Sequence, residues 1–222
     1  FLNPIFRTEN KGQTWEQINT EAVPAKLNLS IPWWPKTWFS SATAGMALVP
    51  DGSGGLYFTD WFGVWHTPNV WAKSTDWYTI VKGHEETVVL TLVSPPSGAL
   101  LYSGMADVFG FKHDKIDAYP SKRFYPLNEC FSIAVCENQP SNIAILGAKS
   151  WGGDQTRLVT SSDFGETWTN RTLPDGAVLG IIAVSADHPN QIVYLSGMGK
   201  VYYSQNCGDS WEVSHNAPEN VA

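Results

Sequence analysis

The sequence is poor in charged residues and in long apolar runs, and each shortage argues against a class of protein. Charged residues make up 16% of the 222 positions, and the 14 Lys and Arg are outnumbered by 21 Asp and Glu. The formal charge of -7 argues against nucleic-acid binding, because neutralising phosphates requires a basic surface. No run of about 18 or more apolar residues occurs, so no segment is predicted to span a membrane.

Cysteine is also scarce. The three cysteines, Cys130, Cys136 and Cys207, are odd in number, so at least one thiol is free or pairs outside the chain. Either Cys130 and Cys136 form a local disulfide or all three are free and buried, and the sequence leaves both open. Their spacing is not that of a zinc site, and no D-x-D-x-D-G loop for calcium is present. We expect neither a metal nor another cofactor.

Aromatic and turn-forming residues are abundant. Aromatics account for 13% of the chain, including 11 Trp, and 19 Gly and 14 Pro interrupt it at short intervals. This mixture is typical of short strands joined by tight turns and not of long helices. It predicts an all-β protein.

Three eight-residue segments repeat the pattern S/T-x-D/N-x-G-x-S/T-W: residues 8–15, 161–168 and 204–211. The third position is Asn10, Asp163 or Asn206, and the eighth is Trp15, Trp168 or Trp211. This is the Asp-box (BNR) pattern of sialidase-like and related β-propellers. The Asp or Asn is expected to cap its own turn, the Gly to take a positive φ, and the Trp to pack in the core between sheets. The pattern indicates a fold and not a chemistry.

The spacing of the repeats predicts propeller blades. Asp163 and Asn206 are 43 residues apart, close to the ~40–50 residues of one blade. Residues 55–67 have the strand–turn–strand shape of a degenerate blade. We therefore expect residues 1–222 to be a single propeller, or part of one, with four to five blades of four-stranded antiparallel sheet. Either this chain closes its ring alone, or further blades or another chain complete it.

Two features point to a secreted precursor. Glycosylation sequons occur at Asn28 and at Asn170, which predicts an extracellular glycoprotein. The chain opens at Phe1 and reaches its first repeat by residue 8. We expect it to be cut from a longer protein, or to be only the ordered part of one.

Residues 82–117 contain three distinctive motifs: "GHEET" at 83–87, "LVSPPSG" at 92–98 and "DVFGFKHD" at 107–114. In this order they resemble glycoside hydrolase family 74, the xyloglucan-cleaving endo-β-glucanases. The resemblance implies that the chain has a β-propeller fold and corresponds to the start of the second of the family's two propellers. It also implies inverting hydrolysis of xyloglucan or another β-1,4-glucan, with Asp107 as the general acid.

The sequence departs from the family at two positions beside Asp107. Ala106 stands where the family has Gly, and Phe109 replaces a second Gly. The Phe109 ring is expected to narrow the cleft or to serve as a sugar-stacking platform. No segment matches the family's other catalytic aspartate, so this chain alone is not expected to hydrolyse its substrate. Asp60 is a candidate for that second catalytic carboxylate only if its side chain does not cap its own turn. We favour the turn-capping interpretation.

Other candidate substrate-binding residues are aromatic or follow Asp107. Trp33 and Trp34 lie in a Pro-bracketed loop where burial looks hard to arrange, and sugar stacking and blade packing both remain open. Trp151 is a further candidate platform, with Trp61 and Trp71 weaker ones. His113 and Asp114 either orient the acid or bind substrate, or else belong to a solvated turn. His84, Glu85 and Glu86 are expected to begin a strand, on which the two carboxylates point to opposite faces.

Two functions from different classes remain. The first is part of a secreted glycoside hydrolase with a polysaccharide substrate. The second is an inactive propeller that binds carbohydrate or protein. A sialidase is disfavoured because Arg7, Arg123, Arg157 and Arg171 lack the context of a carboxylate-binding triad. A sortilin-like receptor would be expected to contain more disulfide cysteines.

Overall fold

A computed structural model describes residues 4–18, 25–40, 48–120, 123–124 and 127–218. Within those ranges the chain forms 18 strands and one short 3-10 turn, and it divides into two compact units, Phe1–Glu86 and Thr87–Ala222. None of the helical segments in the part of the chain described is long and apolar enough to cross a membrane.

In the described part of the first unit, the strands form two sheets. Strands β1 (Phe6–Arg7) and β2 (Glu16–Gln17) form an antiparallel pair. A five-stranded sheet has the order β3-β7-β6-β5-β4, where the strands are β3 (Ala25–Asn28), β4 (Leu48–Pro50), β5 (Leu56–Thr59), β6 (Val64–Thr67) and β7 (Thr75–Thr79). The 3-10 turn is Lys36–Trp38. The predicted degenerate blade corresponds to β5, its turn and β6. Strand β3 pairs with β7 in parallel, which the expectation of purely antiparallel sheets did not include.

Over the residues of the second unit that the structure describes, there are three antiparallel sheets in chain order. The first has three strands: β8 (Val89–Val93), β9 (Leu101–Met105) and β10 (Phe109–His113). The next two have four strands each. They comprise β11 (Glu129–Val135), β12 (Ile143–Ala148), β13 (Arg157–Ser161) and β14 (Thr169–Arg171), then β15 (Ile181–Val184), β16 (Ile192–Leu195), β17 (Val201–Ser204) and β18 (Glu212–Val213). The predicted all-β class with four-stranded antiparallel sheets is confirmed. The number of blades and the closure of a ring stay predictions.

Each of the two complete four-stranded sheets places a repeated turn between its third and fourth strands. In the turn at 161–168, Asp163 Oδ1 accepts the Thr167 N–H at 2.9 Å and the Ser161 hydroxyl at 2.7 Å. Asn206 Oδ1 accepts the Ser210 N–H at 2.9 Å in the same way. Both side chains are thus engaged within their own turns.

The Trp residues of these turns differ in burial. Trp168 and Trp211 are half-buried and pack against the cores of neighbouring sheets. Trp15 is 61% exposed, so the expectation that it belongs to the core is wrong. Its ring lies over Gly12 of its own turn, where a Cβ would be 3.6 Å from it. This local contact covers one side of the ring, and burial of the rest would need a neighbouring sheet.

The cysteines are free thiols. Cys130 and Cys136 are buried and do not form a disulfide, and Cys207 is half-buried. Burial raises the pKa of the Cys130 thiol, so this group stays protonated. The alternative of free, buried cysteines is therefore correct for two of the three.

The Asp163 turn gives a prediction for acid stability. Hydrogen bonds from the Thr167 hydroxyl and N–H and from Ser161 lower the pKa of Asp163 to about 2. Because its pKa is lower in the folded than in the unfolded protein, Asp163 stabilises the fold at pH values above its unfolded-state pKa. This stabilisation is lost as the pH falls through about 2. We expect Asp163→Asn to have a lower Tm than the unmutated protein at about pH 5, with the difference shrinking by about pH 2. Asp163→Ala should have the lowest Tm at about pH 5. Thermal scans at both pH values measure this.

The control comes from the chain itself, because Asn206 already occupies the same position in the sister turn. Asn206→Asp should therefore gain stability at about pH 5 and not at about pH 2. A Tm difference between Asp163→Asn and the unmutated protein that is the same at both pH values would contradict this interpretation.

Candidate functional site

The turn that joins β9 to β10 is strained. Asp107 (φ 63°) and Phe109 (φ 64°) both have the left-handed backbone that non-glycine residues rarely adopt. The turn is closed by two short-range hydrogen bonds, from Val108 N to Ala106 O at 2.7 Å and from Gly110 N to Val108 O at 2.9 Å. Such conformations cost on the order of 1–3 kcal/mol each and persist only where surrounding structure enforces them. Strain of this kind is concentrated at functional sites.

The buried side chain of Phe109 anchors the turn in the core. Its ring is fully buried and meets Phe124 edge-on, with the ring centroids 5.7 Å apart. A Cβ on Gly147 would lie 2.2 Å from this ring, so the neighbouring strand has Gly where the ring enters. The Phe109 N–H also donates to Asn128 O at 2.8 Å. The expectation that Phe109 narrows a cleft or stacks on a sugar is wrong, because its left-handed backbone directs the ring into the core.

Asp107 projects from the turn and is exposed, while the Ala106 beside it is buried. Directly behind lies Glu129, the first residue of β11, which is 4% exposed. Its Oε2 accepts the Asp107 N–H at 3.2 Å. Burial raises the pKa of Glu129; the Asp107 N–H opposes this rise, and the charge of Asp107 adds to it. The turn thus presents one exposed carboxylate in front of one buried carboxyl.

Sequence reasoning did not find Glu129. No motif or spacing marks this residue, and the signal available was a charged residue within the mostly apolar run 127–136. A charged residue at that position indicates a buried partner or a strand end, and only the structure shows that the partner is the Asp107 turn.

An aromatic surface lies beside this turn, on the connection between β12 and β13. Trp151 on that connection is 61% exposed, and its ring centroid is 6.0 Å from that of Phe131. Phe131 occupies the irregularity in the β11–β12 register between Cys130 and Ser132. Asn128 joins the two turns, because its carbonyl accepts the Phe109 N–H and its Nδ2 donates to Lys149 O at 2.8 Å. An acid and a flat apolar surface therefore share one edge of the unit.

Relatives and solved structures point to one family. A "Xyloglucanase" from Paenibacillus sp is 38% identical to the chain over 230 residues, covering 98% of this chain and 22% of the relative. "Xyloglucanase Xgh74A" of Acetivibrio thermocellus is 34% identical over 137 residues, covering 60% of this chain and 16% of the relative. No family model matches the chain. The chain spans about a fifth of the length of these relatives.

Solved structures agree in fold. The family 74 enzyme of Niastella koreensis superposes with a TM-score of 0.76 at 30% identity, covering 95% of this chain and 29% of that one. The family 74 xyloglucanase from Xanthomonas campestris gives 0.76 at 25% identity, covering 97% and 31%. The chain is a propeller segment of the glycoside hydrolase family 74 type. The resemblance predicted from residues 82–117 is thereby confirmed.

Trp33 and Trp34 have a packing role in this family 74-type chain. Both are buried, at 8% and 5% exposure, and both rings pack edge-on against Trp38. The expectation that burial is hard to arrange in this loop is wrong, because the 3-10 turn folds Trp38 back over the pair. A stacking platform needs an open ring face, which neither residue has.

Trp61 and Trp71 are exposed in the first unit. The Arg7 guanidinium lies 5.9 Å from the centre of the Trp71 ring, in a cation–π arrangement. Trp61 belongs to the turn that Asp60 caps. Asp60 is buried, accepts the Gly63 N–H at 2.9 Å and the Trp65 indole N–H at 2.8 Å, and so has the favoured turn-capping role.

His113 is remote from the Asp107 turn. It pairs with Leu101 at the far end of the β9–β10 hairpin, four residues from Phe109, which is about 13 Å along a strand. Its Nε2 lies 2.8 Å from the hydroxyl of buried Ser103, and burial lowers the pKa of His113 against the opposing charge of Asp114. His113 therefore neither orients Asp107 nor lies in a solvated turn.

His84, Glu85 and Glu86 lie in the loop before β8, which begins at Val89, so the prediction that they begin a strand is wrong. The Glu85 carboxylate instead accepts the Gly83 N–H at 3.0 Å and closes a tight turn.

Proposed function

We propose that this family 74-type protein hydrolyses xyloglucan or a related β-1,4-glucan, and that Asp107 is its general acid. The observation that supports the proposal best is that the exposed Asp107 carboxylate, on its strained turn, and the exposed Trp151 ring lie on two turns that Asn128 joins. Sugar rings have apolar faces that pack on aromatic rings, and an acid at such a surface can reach a glycosidic oxygen. The names of the relatives agree with this substrate.

In the proposed reaction, Asp107 gives its proton to the leaving glycosidic oxygen while a second carboxylate activates a water on the opposite face of the sugar. Inverting enzymes place these groups ~6.5–9.5 Å apart, leaving room for the water. Glu129 is not suited to the second role, because it is buried and bonded to the Asp107 backbone. We propose that the second carboxylate lies in a part of the parent protein beyond this chain.

The test is incubation of the full parent protein with xyloglucan, and separately with unbranched β-1,4-glucan and β-1,4-mannan. We expect new reducing ends and oligosaccharides from xyloglucan. If no oligosaccharides were released from any of these polysaccharides, the proposed hydrolase function would be refuted.

Trp151 gives a binding prediction that does not depend on catalysis. Because its ring is exposed on the turn that Asn128 joins to the Asp107 turn, we expect Trp151→Ala to weaken the affinity for xyloglucan oligosaccharides about tenfold, or about 1.4 kcal/mol. Isothermal titration calorimetry measures the change in Kd. Trp15→Ala is the matched control, because Trp15 is also 61% exposed but lies in the other unit. Equal losses in both variants, or no loss in Trp151→Ala, would contradict the assignment.

The second candidate is an inactive propeller that binds carbohydrate through the same surface. The burial of Glu129 favours it, because the carboxyl nearest to Asp107 is not placed to activate water. It predicts that xyloglucan binds and that no reducing ends appear.

We also propose that the protein is secreted. Both sequon asparagines, Asn28 and Asn170, are exposed in the structure and so are accessible to glycosylation.

A further inference from the structure

Glu129 is a buried carboxyl whose one hydrogen bond to the functional turn goes to the backbone of Asp107. We propose that Glu129 is the positioning residue of the Asp107 site: it fixes the left-handed Asp107 backbone and couples the turn to its own protonation. This inference rests on the proposed function for its catalytic consequence, and on the structure alone for the coupling.

The left-handed backbone of Asp107 is unfavourable for a side chain with a Cβ, so something must offset its cost. Phe109 anchors the far side of the turn through its buried ring and its N–H. On the near side, Glu129 Oε2 accepts the Asp107 N–H at 3.2 Å. Glu129 therefore holds the residue that bears the exposed carboxylate.

Glu129 lies on a strand that packs mainly against uncharged strands. Strands β8, β9, β12 and β15 pack around β11 and contain no charged residue; their ionisable side chain is that of Tyr102. Lys112 and His113 lie at the far end of β10, and exposed Lys149 follows β12. No ion pair between Glu129 and a basic residue occurs among the described residues. The charge that acts on the pKa of Glu129 is that of Asp107.

Two protonation states of Glu129 follow from this setting. When ionised, Glu129 is a strong, charge-assisted acceptor for the Asp107 N–H and places a negative charge behind the exposed acid. When protonated, it is a weaker acceptor and carries no charge. Burial raises the pKa of Glu129, which moves the change between these states to higher pH than in an exposed glutamate. The turn is therefore held most firmly above that transition.

Protonation of Glu129 has opposite effects on the stability of the fold and on the hydrogen bond to the Asp107 N–H. A glutamate whose pKa is raised by folding stabilises the protein below its unfolded pKa, and this contribution is lost as the pH rises through the folded value. We therefore expect Glu129→Gln, which keeps the shape and an acceptor oxygen, to be at least as stable as the unmutated protein at neutral pH. Glu129→Ala should be less stable at every pH, because it leaves the Asp107 N–H without its partner.

The first measurement follows the backbone amide of Asp107 by NMR in protein labelled with 15N-aspartate, during a pH titration. We expect this signal to shift with a midpoint above the ordinary glutamate value of 4.5. Glu129→Gln should abolish that transition and keep the rest of the spectrum. Asp114→Asn, which removes an exposed carboxylate at the other end of the hairpin, should leave it in place. Persistence of the transition in Glu129→Gln would overturn the inference.

The second measurement uses hydrolysis of xyloglucan. We expect Glu129→Ala to lower kcat on the order of 10–100-fold with little change in KM, because misplacing a reacting group affects the chemical step. Glu129→Gln should recover most of kcat but move the basic limb of the pH–rate profile to lower pH, because a negative charge near the acid has been removed. Unchanged profiles in both variants would overturn the positioning role. A Glu129-dependent NMR transition in a protein that hydrolyses nothing would support the coupling and refute the proposed function.

Discussion

Replacing Asp107 by Asn is expected to lower kcat for xyloglucan hydrolysis by about 10²–10⁴-fold. Asn cannot give a proton to the departing glycosidic oxygen, and the loss of a general acid has an effect of this size. The turn should survive, since its hydrogen bonds are formed by backbone groups of residues 106–110 and by the Glu129 carboxylate, rather than by the Asp107 side chain. The measurements are the rate of reducing-end release and the Kd for a xyloglucan oligosaccharide.

Asp114→Asn is the matched control for this prediction. Asp114 is an exposed aspartate that follows β10, at the opposite end of the same hairpin from the turn. It should keep both kcat and Kd. If Asp107→Asn retained full activity, or if both variants lost activity equally, Asp107 would not be the acid.

Replacing Phe109 by Ala is expected to destabilise the protein by about 3–5 kcal/mol, the usual cost of deleting a buried phenyl ring. The ring is fully buried with Phe124, Tyr102 and Ile145 in one hydrophobic cluster, and Gly147 leaves no side chain to fill the cavity. Ala would also keep the strained left-handed backbone. Urea unfolding, followed by tryptophan fluorescence, measures the free energy of unfolding.

Two variants separate packing from strain at this site. Phe109→Gly removes the same ring but relieves the left-handed backbone, so it should cost about 1 kcal/mol less than Phe109→Ala. Phe131→Ala removes a ring that is only partly buried, two residues beyond Glu129, and should cost less than either. A loss below about 1 kcal/mol for Phe109→Ala would show that its ring does not hold the turn.

The features that the sequence predicted well are those that a few neighbouring residues determine. The repeated turns close through Asp163 or Asn206 and residues four positions away, so a short pattern is enough to identify them. Asp60 likewise accepts hydrogen bonds from Phe62, Gly63 and Trp65 of its own turn, and a further bond comes from the backbone of Ser40. Asp107 was found through a resemblance and not through local chemistry, since nothing in its spacing marks an acid.

The features that the sequence missed depend on contacts between segments that lie far apart in the chain. Glu129 lies 22 positions from Asp107, and no periodic signal connects the two. Phe109 was expected in a cleft because it replaces a family Gly beside Asp107, but with a φ of 64° its ring lies in the core. Trp34 and Trp15 show the same limitation in opposite directions, because a Trp in a loop is buried or exposed according to what packs over it.

The most direct test of Asp107 as the acid is a crystal structure of the Asp107→Asn parent protein with a xyloglucan oligosaccharide. We expect a glycosidic oxygen within hydrogen-bond distance of the side chain at position 107, and a sugar ring packed on the exposed face of Trp151. An oligosaccharide bound well away from this turn, with an empty Trp151 surface, would contradict this expectation.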